Sequence, residues 1–596
     1  MSRHVIGGLG LSVLGALSLS ALLLAAPGTF QVADAAMRRD SAAVRTLLEQ
    51  GADVSTAQGD GMTALHWASV NGDVPLAQML IYAGADLEAS TRIDGYTPLD
   101  LAARNGHAAV VDALLTSGAS AKAATIDGTT PLMLAAEAGN EDAVTALIAH
   151  GADVNATESA KGETALMFAA AYGRTGVVRI LLAHGADWKP TTHVFDWMKL
   201  AKGDPRLPHF NFGRRGNAAA AKNNGAGATA TAGKGGPVKG EKVDGAKGAP
   251  TGKPAASPDE NFLLGYARLV GRQGGLTALL FAVRQGYRDS VEALLQAGAD
   301  VNQVDAADHT SPLLIAVMNG HFDLAEMLLA RGANPNLAQD NGVTPLYAVL
   351  NCVWAPRTLY PQPTSYKQQK TDYLTLMKDL LDHGAQPNPR LTRKVWYSAY
   401  NFDQSGLDET GATPFWRAAY ADDVAAMTLL VARGADPALA TMKPKGRPPT
   451  GTGDLDPKGR DLSGLRPIPV GGPDVTPLLA ASGEGYGWSF TANHHQYAPA
   501  GMLPAVRYLV EQLHVDVNST DAEGNTALHN AAARGDNAMI LYLVSRGANV
   551  KAVNRKGQTV ADMANGPVQR TSPFPDTIAL LQKMGAPLMH KCLSCG

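Results

Sequence analysis

The sequence is poor in the features that usually announce chemistry. Three cysteines in 596 residues, Cys352, Cys592 and Cys595, are too few to staple a disulfide scaffold. Charge is balanced: 51 basic against 54 acidic residues leave a net charge of −3, which gives no reason to expect a nucleic-acid or anionic-membrane partner. Catalytic signatures are missing too. The glycines of "GRPPTGTGD" at 446–454 lack the Lys-Ser or Lys-Thr that a phosphate-binding loop requires. There is no H-E-x-x-H pair for zinc, and no G-x-S-x-G lies between a strand and a helix. His494 and His495 are adjacent and bring no further ligands with them, so neither a metal site nor a cofactor is expected.

One long apolar run exists, at the start. Arg3 precedes "VIGGLGLSVLGALSLSALLLAA" (Val5 to Ala26), which carries no charge and is followed by small residues. This pattern assigns residues 1–30 to a secretory signal and places the mature chain in an exported, periplasmic or secreted setting. The same run is long enough to span a bilayer, so a membrane anchor over residues 5–26 is the alternative.

What the chain has in abundance is repetition, with a period of about 33 residues. A Gly-Ala step recurs at Gly51, Gly84, Gly118, Gly151 and Gly185, then at Gly298, Gly332, Gly384, Gly434 and Gly547. Some 23 residues before it comes a second marker: "DGMTALHWA" at 60, "DGYTPLDLA" at 94, "DGTTPLMLA" at 127, "KGETALMFA" at 161, with later copies at 274, 341, 410 and 523. The Thr suits a helix N-cap, and Pro after it is tolerated where the first turn has no partner for its N–H. A second helix, such as "VVDALL" at 110–115, carries an inward apolar stripe, and the Gly that follows stops it in a left-handed conformation. The Asp-Val-Asn and Asp-Gly steps after it suggest a two-stranded finger.

These residues resemble ankyrin repeats, whose consensus includes D-x-x-G-x-T-P-L-H-x-A-A and G-A-D-V-N. The resemblance implies an all-α repeat solenoid of helix-turn-helix units with β-hairpin fingers, about eleven full copies after a partial N-terminal one. The T-P-L-H histidine is kept as His66 and His529 but replaced by Asp100, Met133, Met167, Leu280, Tyr347 and Trp416 elsewhere. A slot filled so variously serves packing between neighbours, so His66 reads as structural.

Function in a solenoid is sought where the pattern breaks. Between Gly185 and Gly298 the markers fall out of period. The stretch 214–258 has almost no large apolar residue, with eight Lys or Arg against two Glu or Asp, and reads as disordered linker. The organisation expected is an N-terminal array over 31–212, a linker over 213–259, a C-terminal array over 260–588 and a Cys-x-x-Cys tail over 589–596. The apolar flanks "HVFDWMKLA" and "ENFLLGYARLVGRQ" favour one solenoid with an ejected loop. Inserts at 351–371 and 482–502 replace the short turn between paired helices, and longer extensions follow Gly384 and Gly434. Aromatics in these segments, Trp354, Trp396, Tyr397, Tyr400, Phe402 and Trp488, are the candidate partner contacts. The alternative is that they fold back and cover the array. A small-ligand pocket between Trp396, Trp488 and His494 is a further possibility.

Cys592 and Cys595 close the chain in "MHKCLSCG" and form a candidate local disulfide; with Met589 and His590 they offer soft metal ligands. The sequence therefore implies an exported, non-enzymatic, monomeric scaffold for a protein partner, and a redox or metal-handling protein using the Cys pair is the second reading.

Overall fold

The structure, a computed structural model, describes residues 31–201, 267, 270–354, 364–395, 407–444, 461, 463–485, 497–566 and 572–589. Its units are pairs of short helices. Inner helices such as Ala64–Asn71, Pro98–Arg104, Pro131–Ala138 and Ala165–Ala171 alternate with outer helices Val74–Tyr82, Ala108–Thr116, Glu141–Ala149 and Thr175–Ala183.

The local rules read in the sequence operate here. Thr63, Thr97, Thr130 and Thr164 stand at N-caps in extended backbone, and each hydroxyl accepts the N–H three residues on, at 3.2–3.4 Å. Val110, Val111, Leu114 and Leu115 face inward from their outer helix, and Leu114 is fully buried. Gly118 then stops that helix at φ +100°, a conformation that any Cβ would strain. Inner helices stack on inner helices along the array, so apolar burial runs as one continuous core from Val32 to Ala586.

The fingers between repeats are short and carry at most a single bridge pair in the described repeats. Their loops are tight turns, such as Thr125 N–H to Thr129 O at 2.9 Å, with single bridges at Thr157–Thr164, Thr520–Thr526 and Val553–Thr559. The reason is where the backbone donors go. Each turn bonds to the turn before it: Arg92 N–H to Asp60 O at 2.8 Å, Ile126 N–H to Asp94 O at 3.0 Å, Ser159 N–H to Asp127 O at 2.7 Å and His193 N–H to Lys161 O at 2.6 Å. Successive residues divide the work: Thr125 N–H closes its own turn while Ile126 N–H reaches the neighbouring one, so the loops pair along the stack as well as within a repeat.

Among the described residues one sheet forms, and it sits where the period fails. β1 (Val194–Asp196) pairs antiparallel with β2 (Arg272–Gly274), Val194 opposite Gly274 and Asp196 opposite Arg272. Just before the ribbon, Thr192 N–H bonds Leu276 O at 3.0 Å, as Thr125 bonds Thr129 in a regular loop. The long excursion thus leaves from the tip of an ordinary inter-repeat turn and returns to it. Beneath, the stack is unbroken: Ala165–Ala171 packs on Ala278–Gln285, Thr175–Ala183 packs on Arg288–Gln296, and the Thr175 and Ser290 hydroxyls meet at 2.8 Å.

Candidate functional site

The inner helices present a row of side chains to the concave side, and that row changes character along the stack. At the last inward-facing position of successive inner helices stand Arg104, Glu137, Ala171, Arg284 and Met318, all exposed or half-buried. The row then continues with Asn351, Tyr420 and Ala533, all buried. The concave face is therefore open over the first repeats and closed over the later ones, where the inserts fall.

The closed part is filled by buried polar groups that satisfy one another only in part: Arg417 Nη1 and both Asp422 carboxyl oxygens have no hydrogen-bond partner among the described residues. Arg417 is buried, donating Nε to Asn351 Oδ1 at 3.1 Å and Nη2 to the Trp354 carbonyl at 2.6 Å. Burial lowers its pKa from the usual arginine value. Further along, Asn530 donates to Ser482 Oγ and Glu484 Oε2, each at 2.9 Å. Burial raises the Glu484 carboxyl well above its ordinary range.

The open part holds a concave pocket of about 450 Å³ beside the β1–β2 ribbon. Three levels of the stack build it. Lys161 and Glu163 come from one turn, Arg272 from β2, Phe281 and Arg284 from the next inner helix, and Asp308, Ile315 and Met318 from the repeat after that. Lys161 Nζ lies 3.9 Å from Glu163. The Arg284 guanidinium lies 5.0 Å over the Phe281 ring. Asp305 accepts three backbone N–H groups, from Ala307, Asp308 and Thr310, at 2.7–3.0 Å. Asp308 accepts the Thr310 hydroxyl and, at 3.2 Å, the Gln339 amide. Burial, with Asp305 and Asp340 nearby, pushes Asp308 up to about 7.

Comparison with known proteins decides the family. Profiles described as "Ankyrin repeats (3 copies)" match residues 32–125, 118–192 and 279–360, and one described as "Ankyrin repeats (many copies)" matches 495–544. This is an ankyrin-repeat protein. Its similarity to curated proteins is confined to short stretches. It is 42% identical over 72 residues to "Potassium channel AKT3" of Oryza sativa subsp. japonica (12% of this chain, 8% of the relative). It is 33% identical over 90 residues to "Palmitoyltransferase Hip14" of Drosophila melanogaster (15% and 14%). It is 41% identical over 63 residues to "Ankyrin repeat and LEM domain-containing protein 1 homolog" of Caenorhabditis elegans (11% and 9%). The chain thus spans no more than 14% of these relatives' length, and channel and transferase activities are properties of those proteins.

Within the ankyrin frame the structural slot behaves as its variety suggests. His66 is buried; its Nδ1 accepts the Thr63 N–H at 3.1 Å, and its Nε2 donates to the Tyr96 carbonyl of the next repeat at 3.0 Å. Asp100 reaches the same Thr N–H by a carboxyl oxygen, at 2.9 Å, and burial pushes it up to about 6. His529 Nδ1 accepts the Thr526 N–H at 3.1 Å as His66 does with Thr63, but its Nε2 has no hydrogen-bond partner among the described residues, and burial holds its pKa at about 4.

Of the aromatic candidates, Trp354 lies on a described part of the chain. It is half-buried, edge-on to Tyr373 at 6.0 Å, with its indole N–H committed to Asp423. It folds back on the array. Tyr366, later in the same insert, does likewise, stacking on Phe322 at 5.9 Å. Trp396, Tyr397, Tyr400, Phe402, Trp488, His494, Cys592 and Cys595 lie outside the described residues, as does the run 5–26. Cys352 is a free, half-buried thiol, pushed up to about 12 by burial. No described helix is long and apolar enough to cross a membrane, and no metal-competent group of three acidic, His or Cys residues occurs among the described residues.

Sequence reading missed Arg272, Arg284, Glu163 and Asp308. Each is ordinary in its own repeat, and the only local hint was the pair of apolar flanks that became the base of the ribbon.

Proposed function

We propose that this chain is an exported, non-enzymatic scaffold that binds a protein partner along the open part of its concave face. The observation that carries the reading is the pocket beside the β1–β2 ribbon, which interrupts an otherwise regular concave row with an added wall. A stack held by nearest-neighbour packing keeps such a surface preorganised, so little ordering is needed on binding. Ankyrin repeats imply protein partners in general, and a preformed pocket on the open part of the face supports looking for the contact there.

The test is photo-cross-linking in the native secreted or envelope fraction, with benzoylphenylalanine at position 318 on the concave side and at position 82, whose Tyr is 96% exposed on an outer helix. A protein cross-linked from 318 and not from 82 supports the reading. Equal products from both positions, or none from 318, overturn it.

A further inference from the structure

We propose that the pocket beside the β1–β2 ribbon is a carboxylate subsite in which Arg284 receives an acidic side chain from an extended segment of a protein partner. The proposal rests on the platform reading above and adds the chemistry of one contact to it.

The argument begins with what Arg284 lacks. Its guanidinium has no hydrogen-bonded or ion-paired partner among the described residues, although it carries five N–H donors on a fork that matches a carboxylate. The Phe281 ring fixes one face of that fork at 5.0 Å, so its orientation is set before any ligand arrives. Its side chain stays exposed to solvent, while the packing around it lowers its pKa from the ordinary arginine value and Glu163 offsets this in part. An oriented cation without an acceptor gains more from a carboxylate than one that is already paired or free to turn.

Two further cations lie on the same pocket. Arg272 donates Nη2 to the Ala306 carbonyl at 3.1 Å, which holds its stem against the wall. Lys161 is shared loosely with Glu163. Across the pocket the acids are already engaged, Asp305 by three backbone donors and Asp308 by Thr310 and Gln339. A basic group entering there would find carboxylates whose lone pairs are largely occupied. An acidic group is repelled from that wall and attracted to the other, where Arg284, Arg272 and Lys161 outnumber the one carboxylate, Glu163. Ile315 and Met318 supply the apolar surface for a methylene stem. A volume of about 450 Å³ holds one side chain with its flanking backbone, within the size range of ligand pockets.

The experiment uses the full chain and two pools of ten-residue peptides, one with Glu and one with Gln fixed at the centre among randomised small and apolar positions; glutarate serves as a free carboxylate probe. The expected result is about tenfold greater recovery from the Glu pool, equivalent to 1.4 kcal/mol. Arg284→Met, which keeps the stem over Phe281, should abolish the preference while the thermal midpoint stays in place, and Arg284→Lys should restore part of it. Equal recovery from both pools, recovery from neither, or a preference that survives Arg284→Met overturns the proposal. Glutarate binding without peptide recovery overturns it in favour of a free small carboxylate. A partner still cross-linked from position 318 with no Glu preference leaves the platform standing and removes the subsite alone.

Discussion

The indole N–H of Trp354 donates to Asp423 Oδ2 at 2.9 Å across 69 residues of sequence, and the Tyr373 hydroxyl meets the same oxygen at 2.8 Å. Asp423 also caps the next outer helix by accepting the Ala426 N–H at 3.0 Å. One buried carboxylate thus ties an insert, an outer helix and a helix start together. Trp354→Phe should cost about 1–3 kcal/mol, the usual loss when a buried hydrogen bond to a charged group is removed. The measurement is the urea midpoint, and partner capture below that midpoint should be unchanged. Loss of capture at full stability would return Trp354 to the binding surface.

Asp422 occupies the turn position that glycine fills in other repeats, as at Gly72, Gly106, Gly139 and Gly286. It has φ +55°, is 1% exposed, and neither carboxyl oxygen has a hydrogen-bond partner among the described residues. Burial raises its pKa well above the usual carboxylate value, with Arg534 opposing. Asp422→Gly should therefore stabilise the protein by about 1–3 kcal/mol, by relieving the left-handed backbone and removing an unsatisfied group. A rise in thermal midpoint checks it; a fall would mean that the carboxyl is engaged in the molecule at work.

His529 sets an acid limit. Folding holds its pKa at about 4, below the ordinary 6.5, so the folded chain favours the neutral ring. Stability should be undiminished above pH 6.5 and fall as pH drops from there toward 4, by about 3 kcal/mol at the limit. Asp100 acts with the opposite sign: its pKa is raised from 3.8 to about 6, so its contribution is full below 3.8 and lost as pH rises through 6. His529→Gln should flatten the acid side of the urea midpoint against pH, and Asp100→Asn should flatten the loss between pH 4 and 6. An unaltered profile in either variant assigns the pH dependence elsewhere.

Much of this was legible because it is local. Thr63 and Thr97 declare helix starts through a bond three residues long, and Leu114 declares burial through spacing on one helix. The pocket was not legible, because Lys161, Arg272 and Asp308 come from three levels. They meet only through a ribbon of two three-residue strands, Val194–Asp196 and Arg272–Gly274, too short to show an alternating pattern. Trp354 shows the same limit: an aromatic in an insert looks alike in sequence whether it faces a partner or donates to an aspartate 69 residues away.

The stack itself makes the last prediction. Leu114→Ala, at a fully buried position, should cost about 2–5 kcal/mol. Deleting residues 214–258 should leave the thermal midpoint nearly unchanged, because Asp196 and Arg272 are already paired and the helices beneath them are packed. A large loss from the deletion would mean that the segment supports the array directly.

At the ribbon, covalent continuity and mechanical continuity part company. Trp197 and Gln273 touch at 2.9 Å, yet they are 76 positions apart in the chain, on the order of 250 Å if drawn taut. Tension applied along the stack crosses this level through side-chain packing, two short strands and a few hydrogen bonds. Among the described residues this level is held by packed surfaces and a short ribbon, and the proposed carboxylate subsite lies directly on it.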